Sequence, residues 1–478
     1  MDQTTIDYTD VQGTILRGYR VDLARHFILQ VTEAAAAQRL IGSMVDGSPG
    51  VPQITTAARP ASKPDCFMNI GITSAGLKTL GLTADQLQTF DPAFQRGAAN
   101  QVTANSIGDV GESAPGNWIG GLSDASAVHV VLSVWVTKDP AVLEQLSSVL
   151  RGLFTGAFKE LSAHDARTLP DNKVHFGYRD SIAQPTVLGV PPRKHKIPDD
   201  QPVLATGEFL LGYLNEIGGT TSVQPSQLTL NSSYSSFRIL EQDVEAFEEF
   251  LQVYAKQAGI DPEMLAAKIC GRWRNGNPLE LMPDHAGEPL PLSEINNFQY
   301  VPSGNAPPPE VAYDDTLGLR CPIGSHIRRN NPRAAGVVGG GSSVNHRIVR
   351  RAMPYGPNDS EKADAPRGLI GHFINASIAN QFEFLMSQWN QASQFVKAAK
   401  GTNCSGNAVL NISGEDLFLG INDAASSSFT LSTCVGGAVK NTAITGFERL
   451  ITTRGGVYLF LPSITGLRYL ATLGAPSA

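Results

Sequence analysis

Nine histidines occur in the 478-residue chain, and one has neighbours that set it apart. His326 stands in Cys321-Pro-Ile-Gly-Ser-His326-Ile-Arg328-Arg329-Asn-Asn-Pro-Arg333, with three arginines within seven residues of one imidazole. Guanidinium groups suit an anionic ligand, and a neutral imidazole can ligate a metal. Haem combines both demands, because its iron takes a neutral imidazole and its propionates take guanidinium partners; a basic surface turn is the plainer alternative. The remaining histidines read differently. His26 and His129 lie in apolar, strand-like runs where satisfied core histidines are expected, and His164, His195 and His285 lie in polar surroundings where solvated ones are expected.

Other chemistries lack their patterns. No HExxH or GxSxG occurs, and the glycine run 336–341 fits neither GxGxxG nor a Walker loop, so it is expected to be a flexible loop. With Lys+Arg 37 against Asp+Glu 44, the net charge of -7 argues against nucleic acid or an anionic membrane as the main partner. Five cysteines, at 66, 270, 321, 404 and 434, form no CxxC pair or zinc spacing and are expected to be reduced. The acidic N-terminus and the absence of a long apolar run lead to the expectation of a cytoplasmic protein.

The elements that must position these residues are of mixed α+β type. The runs 26–32 and 129–138 are short and rich in Val, Phe, Ile and Trp, as strands are. Asp139-Pro140 supplies a cap and a first-turn residue, after which Val142, Leu143, Leu146, Val149 and Leu150 share a helical face. Val244, Phe247, Leu251 and Tyr254 mark a second amphipathic helix, and Ile378, Phe382, Leu385 and Trp389 a third. Val457–Leu461 is apolar enough for a strand buried on both faces, and Pro462 stops it. Segments 191–202, 302–310 and 334–343 read as loops.

Three segments, taken with their order, carry a family resemblance: Gly177-Tyr-Arg-Asp180-Ser-Ile-Ala-Gln-Pro185, the His326 segment, and Arg347-Ile-Val-Arg350-Arg-Ala-Met-Pro-Tyr-Gly-Pro357. Together they resemble the dye-decolourising peroxidases, haem enzymes of α+β class. Asp10-Val-Gln-Gly-Thr-Ile-Leu-Arg17, Phe237–Asp243, Gly271-Arg-Trp273 and Gly455–Ser463 extend the likeness along most of the chain. The resemblance implies duplicated ferredoxin-like domains of the dimeric α+β barrel type, with antiparallel sheets and flanking helices. Residues 1–230 would carry the distal Asp motif and 231–478 would bind haem b. It implies His326 as the proximal iron ligand, Glu383 as the carboxylate behind it, Asp180 as distal acid-base group and Arg350 as charge stabiliser. Arg333 and Arg347 would serve the propionates, Leu369 would line the pocket, and Trp389 and Tyr355 would be radical sites. Hydrogen peroxide and small aromatic reductants would be the partners of a monomer or homodimer.

Two positions depart from the family's pattern. Ser181 stands where a glycine usually follows the catalytic aspartate, which would strain the loop if that position needs a positive φ. Gly371 would open space where relatives have a bulkier residue, and His372 either carries protons or faces away. A distal side spoiled at these positions would leave a non-catalytic haem carrier or sensor as the rival reading.

Overall fold

The computed structural model describes residues 5–191, 201–301, 315–333, 342–358, 365–392 and 413–473. The expected loops at 191–202, 302–310 and 334–343 fall wholly or largely outside these residues, as do the 336–341 glycine run, His195 and Cys404.

Twelve strands are described: β1 (Leu23–Val31), β2 (Cys66–Ile72), β3 (Val130–Val136), β4 (Phe158–Arg167), β5 (Thr186–Val187), β6 (Val203–Leu204), β7 (Ser233–Gln242), β8 (Val349–Tyr355), β9 (Gly368–Asn375), β10 (Ser428–Val435), β11 (Ala438–Thr445) and β12 (Ile451–Leu461). Eight of them form one antiparallel sheet in the order β4-β1-β3-β2-β12-β7-β9-β8. Each half of that order repeats a single pattern, in which the first strand of the half lies between its last and its third. The halves join where Phe460 of β12 stands opposite Ile72 of β2. At the far ends β4 and β8 come into contact, so the sheet curls into a barrel.

Local sequence explains the elements around the barrel. β3, Val-Val-Leu-Ser-Val-Trp-Val, is buried throughout, as a strand covered on both faces must be. The helix Pro140–Phe154 starts where the Asp139 carboxylate accepts from the Ala141 N–H, and it packs Leu143, Leu150 and Phe154 toward β1, β3 and β4. The helix Val244–Ala258 is capped by Asp243 and ends at Gly259, whose φ of 70° completes the turn. It buries Phe247, Phe250 and Leu251, joining Phe176, Tyr178 and Phe418 in a second core.

Alternation along β9 decides which side chains meet which space. Ile370, His372 and Ile374 face one way and Leu369 and Phe373 the other. His372 is 2% exposed, with Nε2 2.9 Å from Ser133 Oγ and Nδ1 3.1 Å from Ser235 Oγ. Ser133 also reaches His26 Nδ1 at 2.8 Å, so two buried imidazoles and two hydroxyls form one chain inside the barrel. His372 therefore looks away from the cavity described below. His129, 7% exposed, is likewise satisfied, accepting from the Val31 N–H, whereas His164 is half-buried rather than solvated. The cysteines depart from expectation too, since Cys434 is disulfide-bonded while Cys66, Cys270 and Cys321 are free. Among the described residues no helix is long and apolar enough to cross a membrane.

Burial pushes the His372 imidazole down to about 3 and, with help from the His372 and His164 rings, also holds His26 well below the usual imidazole range. An unfolded histidine titrates near 6.5, so the unfolded chain binds protons first as pH falls, and stability is lost progressively from about pH 6.5 toward pH 3. The expected slope is about 1.4 kcal/mol per pH unit for each such histidine. In urea unfolding at pH 7, 5.5 and 4.5, His372→Gln should be less stable than wild type at pH 7, with the gap narrowing steadily in acid.

Candidate active site

His326 opens the short helix His326–Asn330, and these two residues, four apart, share the face that borders a cavity of about 310 Å³. That volume lies within the usual range of about 300–1,000 Å³ for small-molecule sites. The opposite wall comes from the turn 180–185 and from β8 and β9. Asp180, Arg333, Arg347, Arg350 and Leu369, singled out from sequence, all border the cavity.

Behind the His326 ring stands Asp416, with Nδ1 3.0 Å from Oδ2 and 3.2 Å from Oδ1. This carboxylate is wholly buried. Burial alone would raise its pKa, but His326, Arg329 and the Leu419 N–H outweigh that and hold it below the usual range. Its Oδ1 also accepts from the N–H groups of Phe418 (2.9 Å) and Leu419 (2.8 Å), which fixes its direction. No protein partner for His326 Nε2 occurs among the described residues, so the second ring nitrogen is available to the cavity.

Glu383 does not hold this position, contrary to the expectation from sequence. Its helical turn points it away from His326, and its Oε2 accepts from Arg96 at 3.0 Å. The segments Ile378–Glu383 and Leu385–Asn390 are wound with wide π-type turns, and Phe382, Leu385, Met386 and Asn390 face the cavity instead. Sequence reasoning missed Asp416 because it belongs to no periodic element. The available signal was local: an Asp whose side chain accepts from the amides two and three residues on, as in an Asx turn.

The three arginines after His326 divide between two tasks. Arg328 is buried against Asp315 at 2.8 Å, its ring of partners completed by the Cys321 and Asp315 carbonyls. Arg329 donates to the carbonyls of Gly324, Trp389, Ala392 and Gly414 and to Ser413 Oγ. Only Arg333 reaches the cavity, with its guanidinium 3.6 Å from the Phe298 ring centroid and bonded to Asn296 and Phe298. The expected three-arginine cradle is thus reduced to one member of the cluster, joined by arginines from elsewhere.

Arg350 ties the facing loop. Its Nη2 donates to the Ala183 carbonyl at 3.0 Å, its N–H to Gln184 Oε1 at 3.1 Å, and Gln184 Nε2 donates back to the Arg350 carbonyl. Arg351, pointing the other way, donates to the Thr14 carbonyl. Ser181 has φ 61°, so the residue after Asp180 does sit in the left-handed region that favours glycine. Gly371 does not open the pocket as expected. A Cβ there would lie 2.2 Å from the Arg351 carbonyl oxygen, so the strand needs glycine for its approach to β8, and the cavity wall is made by Leu369 and Phe373.

The two aromatic candidates lie off the cavity wall. Trp389 is 2% exposed, with the Phe384 and His346 rings 5.5 and 5.3 Å from its own. Tyr355 ends β8, half-buried, with a hydroxyl that has no partner among the described residues. Trp389 is therefore a core residue and not a surface one.

The donor set fits an iron porphyrin. Seven arginines and two aspartates lie on the wall, an excess of cations in a chain that is acidic overall. Leu369, Phe373, Leu385, Met386, Phe418 and Ile451 supply apolar surface, and His326 offers one free ring nitrogen whose opposite edge meets a carboxylate.

Known proteins bear on this arrangement. Residues 10–170 match the family described as DyP dimeric alpha+beta barrel domain. The chain is 28% identical over 492 residues to the dye-decolorizing peroxidase msp1 of Mycetinis scorodonius, covering 97% of this chain and 87% of that one. It is 25% identical to the multifunctional dye peroxidase DyP2 of an Amycolatopsis strain, covering 96% and 95%. The crystal structure of a fungal DyP-type peroxidase from Auricularia auricula-judae has the same fold, with a TM-score of 0.78 at 23% identity over 98% of this chain and 100% of that one. With relatives along nearly its whole length and the barrel domain across its first third, the chain is a homologue of the dye-decolourising peroxidases.

Proposed function

We propose that the chain is a haem b peroxidase that reduces hydrogen peroxide at the expense of phenols and dyes. The observation that carries this reading is a single cavity bordered by His326, backed by Asp416, and by Asp180 and Arg350. We take 1–230 as the unit carrying Asp180 and 231–478 as the unit holding the cofactor. When bound, haem supplies the redox chemistry: it accepts two oxidising equivalents from peroxide and passes them on one at a time.

The protein's part is positional and electrostatic. His326 Nε2 would hold the iron, with Asp416, accepting from Nδ1–H, fixing the ring and raising its basicity. Arg333 and Arg347 would serve the propionates, and Leu369 would line the pocket. Asp180 takes the proton from one peroxide oxygen and returns it to the other, while Arg350 balances the negative charge that grows as the O–O bond lengthens. Because Arg350 is bonded to Ala183 and Gln184, it also keeps the Asp180 loop in place. The carrier alternative supposed a spoiled distal side, but Asp180 and Arg350 both remain on the wall. An oxidising equivalent leaving through Trp389 would cross Phe384 or His346, since the indole is buried; Tyr355 offers a second exit.

The test is stopped-flow absorbance of the loaded protein mixed with peroxide. His326→Ala should abolish the Soret band of bound haem, and Asp416→Leu should weaken haem binding by about 10- to 100-fold in titration. Asp180→Asn and Arg350→Leu should retain the band but slow its change with peroxide by about 10²-fold or more each. Rates equal to wild type in both would leave the carrier reading standing. Ser181→Gly, which relieves a left-handed serine, should raise stability in urea unfolding by about 1 kcal/mol.

A further inference from the structure

A neutral imidazole carries one proton, and the nitrogen that faces a metal must be the one without it. For His326 to present Nε2 to the cavity, its proton has to stay on Nδ1. Asp416 attracts it there from 3.0 Å, but a second polar group stands beside the same nitrogen. Asn330 Nδ2 lies 3.4 Å from Nδ1, and an amide N–H given to Nδ1 would favour the opposite tautomer, with the proton on Nε2 and the cavity-facing lone pair lost.

The surroundings of Asn330 keep that donor occupied. Its Nδ2 is nearer to two oxygens, the His326 carbonyl at 2.9 Å and Asn390 Oδ1 at 3.2 Å. An amide nitrogen has two hydrogens, so these two acceptors use both, and Nδ1 is left outside the usual range of about 2.7–3.2 Å. The His326 carbonyl comes with the turn of the helix His326–Asn330, whereas the Asn390 oxygen arrives from the end of the Leu385–Asn390 segment. Asn390 is 0% exposed, beside Met386 on the cavity wall, where an amide is costly unless paired. Its Nδ2 meets Asn330 Oδ1 at 3.4 Å and Met386 Sδ at 3.5 Å, so the two amides face each other reciprocally. Its carbonyl accepts from the Asp416 N–H at 2.7 Å, which ties the last turn of the segment to the carboxylate behind the ring. One residue thus holds both neighbours of Nδ1.

We propose that Asn390 is a positioning residue that reserves His326 Nδ1 for Asp416: its side-chain oxygen occupies the second Asn330 hydrogen and so keeps Nε2 unprotonated toward the cavity. This rests on the reading of His326 as the proximal ligand. Without that oxygen, the freed Asn330 N–H turns to Nδ1. In the haem-free chain the ring proton then moves from Nδ1 to Nε2. With haem in place Nε2 is taken, and the proton shifts from Nδ1 toward Asp416 Oδ2 instead, the ring gaining imidazolate character as the carboxylate gains acid character. Asn330 is the donor in both cases, so removing it as well cancels the effect.

Asn390→Leu and the double variant Asn330→Leu/Asn390→Leu separate this role from packing. At pH 8, above the ordinary imidazole range, ring nitrogen-15 spectra of the haem-free chain should show the Nδ1–H tautomer in wild type. Asn390→Leu should hold about tenfold more of the Nε2–H form, and the double variant should return to the wild-type pattern. Spectroelectrochemistry of the haem-loaded protein should follow the same order: in Asn390→Leu a tenfold shift toward ferric iron, which is a potential about 59 mV lower, and recovery in the double variant. A packing role predicts the reverse, with the double variant more disturbed than the single one. That outcome overturns the proposal, as do spectra and potential of Asn390→Leu equal to wild type. A predominant Nε2–H form in wild type overturns it without any variant, and Asn390→Ala carries the same expectations should Asn390→Leu fail to fold. No spectral response to peroxide would instead sink the peroxidase reading, while the tautomer would still judge Asn390.

Discussion

The site depends on one buried guanidinium. Arg329 sits three residues after His326 and spends its donors on carbonyls from three separate stretches: Gly324 before the histidine, Trp389 and Ala392 at the end of the π-wound segment, and Gly414 just ahead of Asp416. Burial pushes its pKa down to about 10, which still leaves it charged near neutral pH. A buried cation that lost these acceptors would face a penalty of several kcal/mol, so the three stretches are held together by the cost of separating them. The distance of 3.0 Å between His326 and Asp416 is a consequence of that arrangement, since neither residue lies in a long element that could hold it alone.

Charge is distributed on the same principle. The chain carries a net -7, yet arginines crowd the cavity. Arg238 and Asp109, both 2% exposed and 2.5 Å apart, neutralise each other on the cavity wall. Inside the barrel the reverse holds: His26 and His372 are kept neutral by burial and are satisfied by serines. A cation excess on one side of β9 and uncharged polar groups on the other follow from the period-two alternation of one strand.

Much of this was legible in the amino-acid sequence, and the reasons differ by residue. Apolar runs found β1, β3 and β12 because a strand buried on both faces leaves no room for polar residues, and Asp139-Pro140 located a helix start by its chemistry. His326, Asp180 and Arg350 were found by residue type together with the family's wording, and the fold brings them to one cavity. Asp416 was not, because a hydrogen-bond partner supplied by an irregular loop leaves no period to read. Glu383 was implied by the family resemblance alone, and its place in the helical segment turns it toward Arg96. Arg328 and Arg329 looked like ligand-binding cations and proved to be internal ties, a distinction that burial makes and sequence does not.

The order of strands in the sheet bears on how the chain is made. β12, near the C-terminal end, lies at the centre of the sheet between β2 and β7. During synthesis β2 is finished early and then waits, with one edge bare, while almost four hundred further residues emerge. An unpaired strand edge is a template for mispairing with other chains. The barrel closes only once β12 has been made. Until then the bare edge of β2 is the part of the nascent chain most exposed to mispairing.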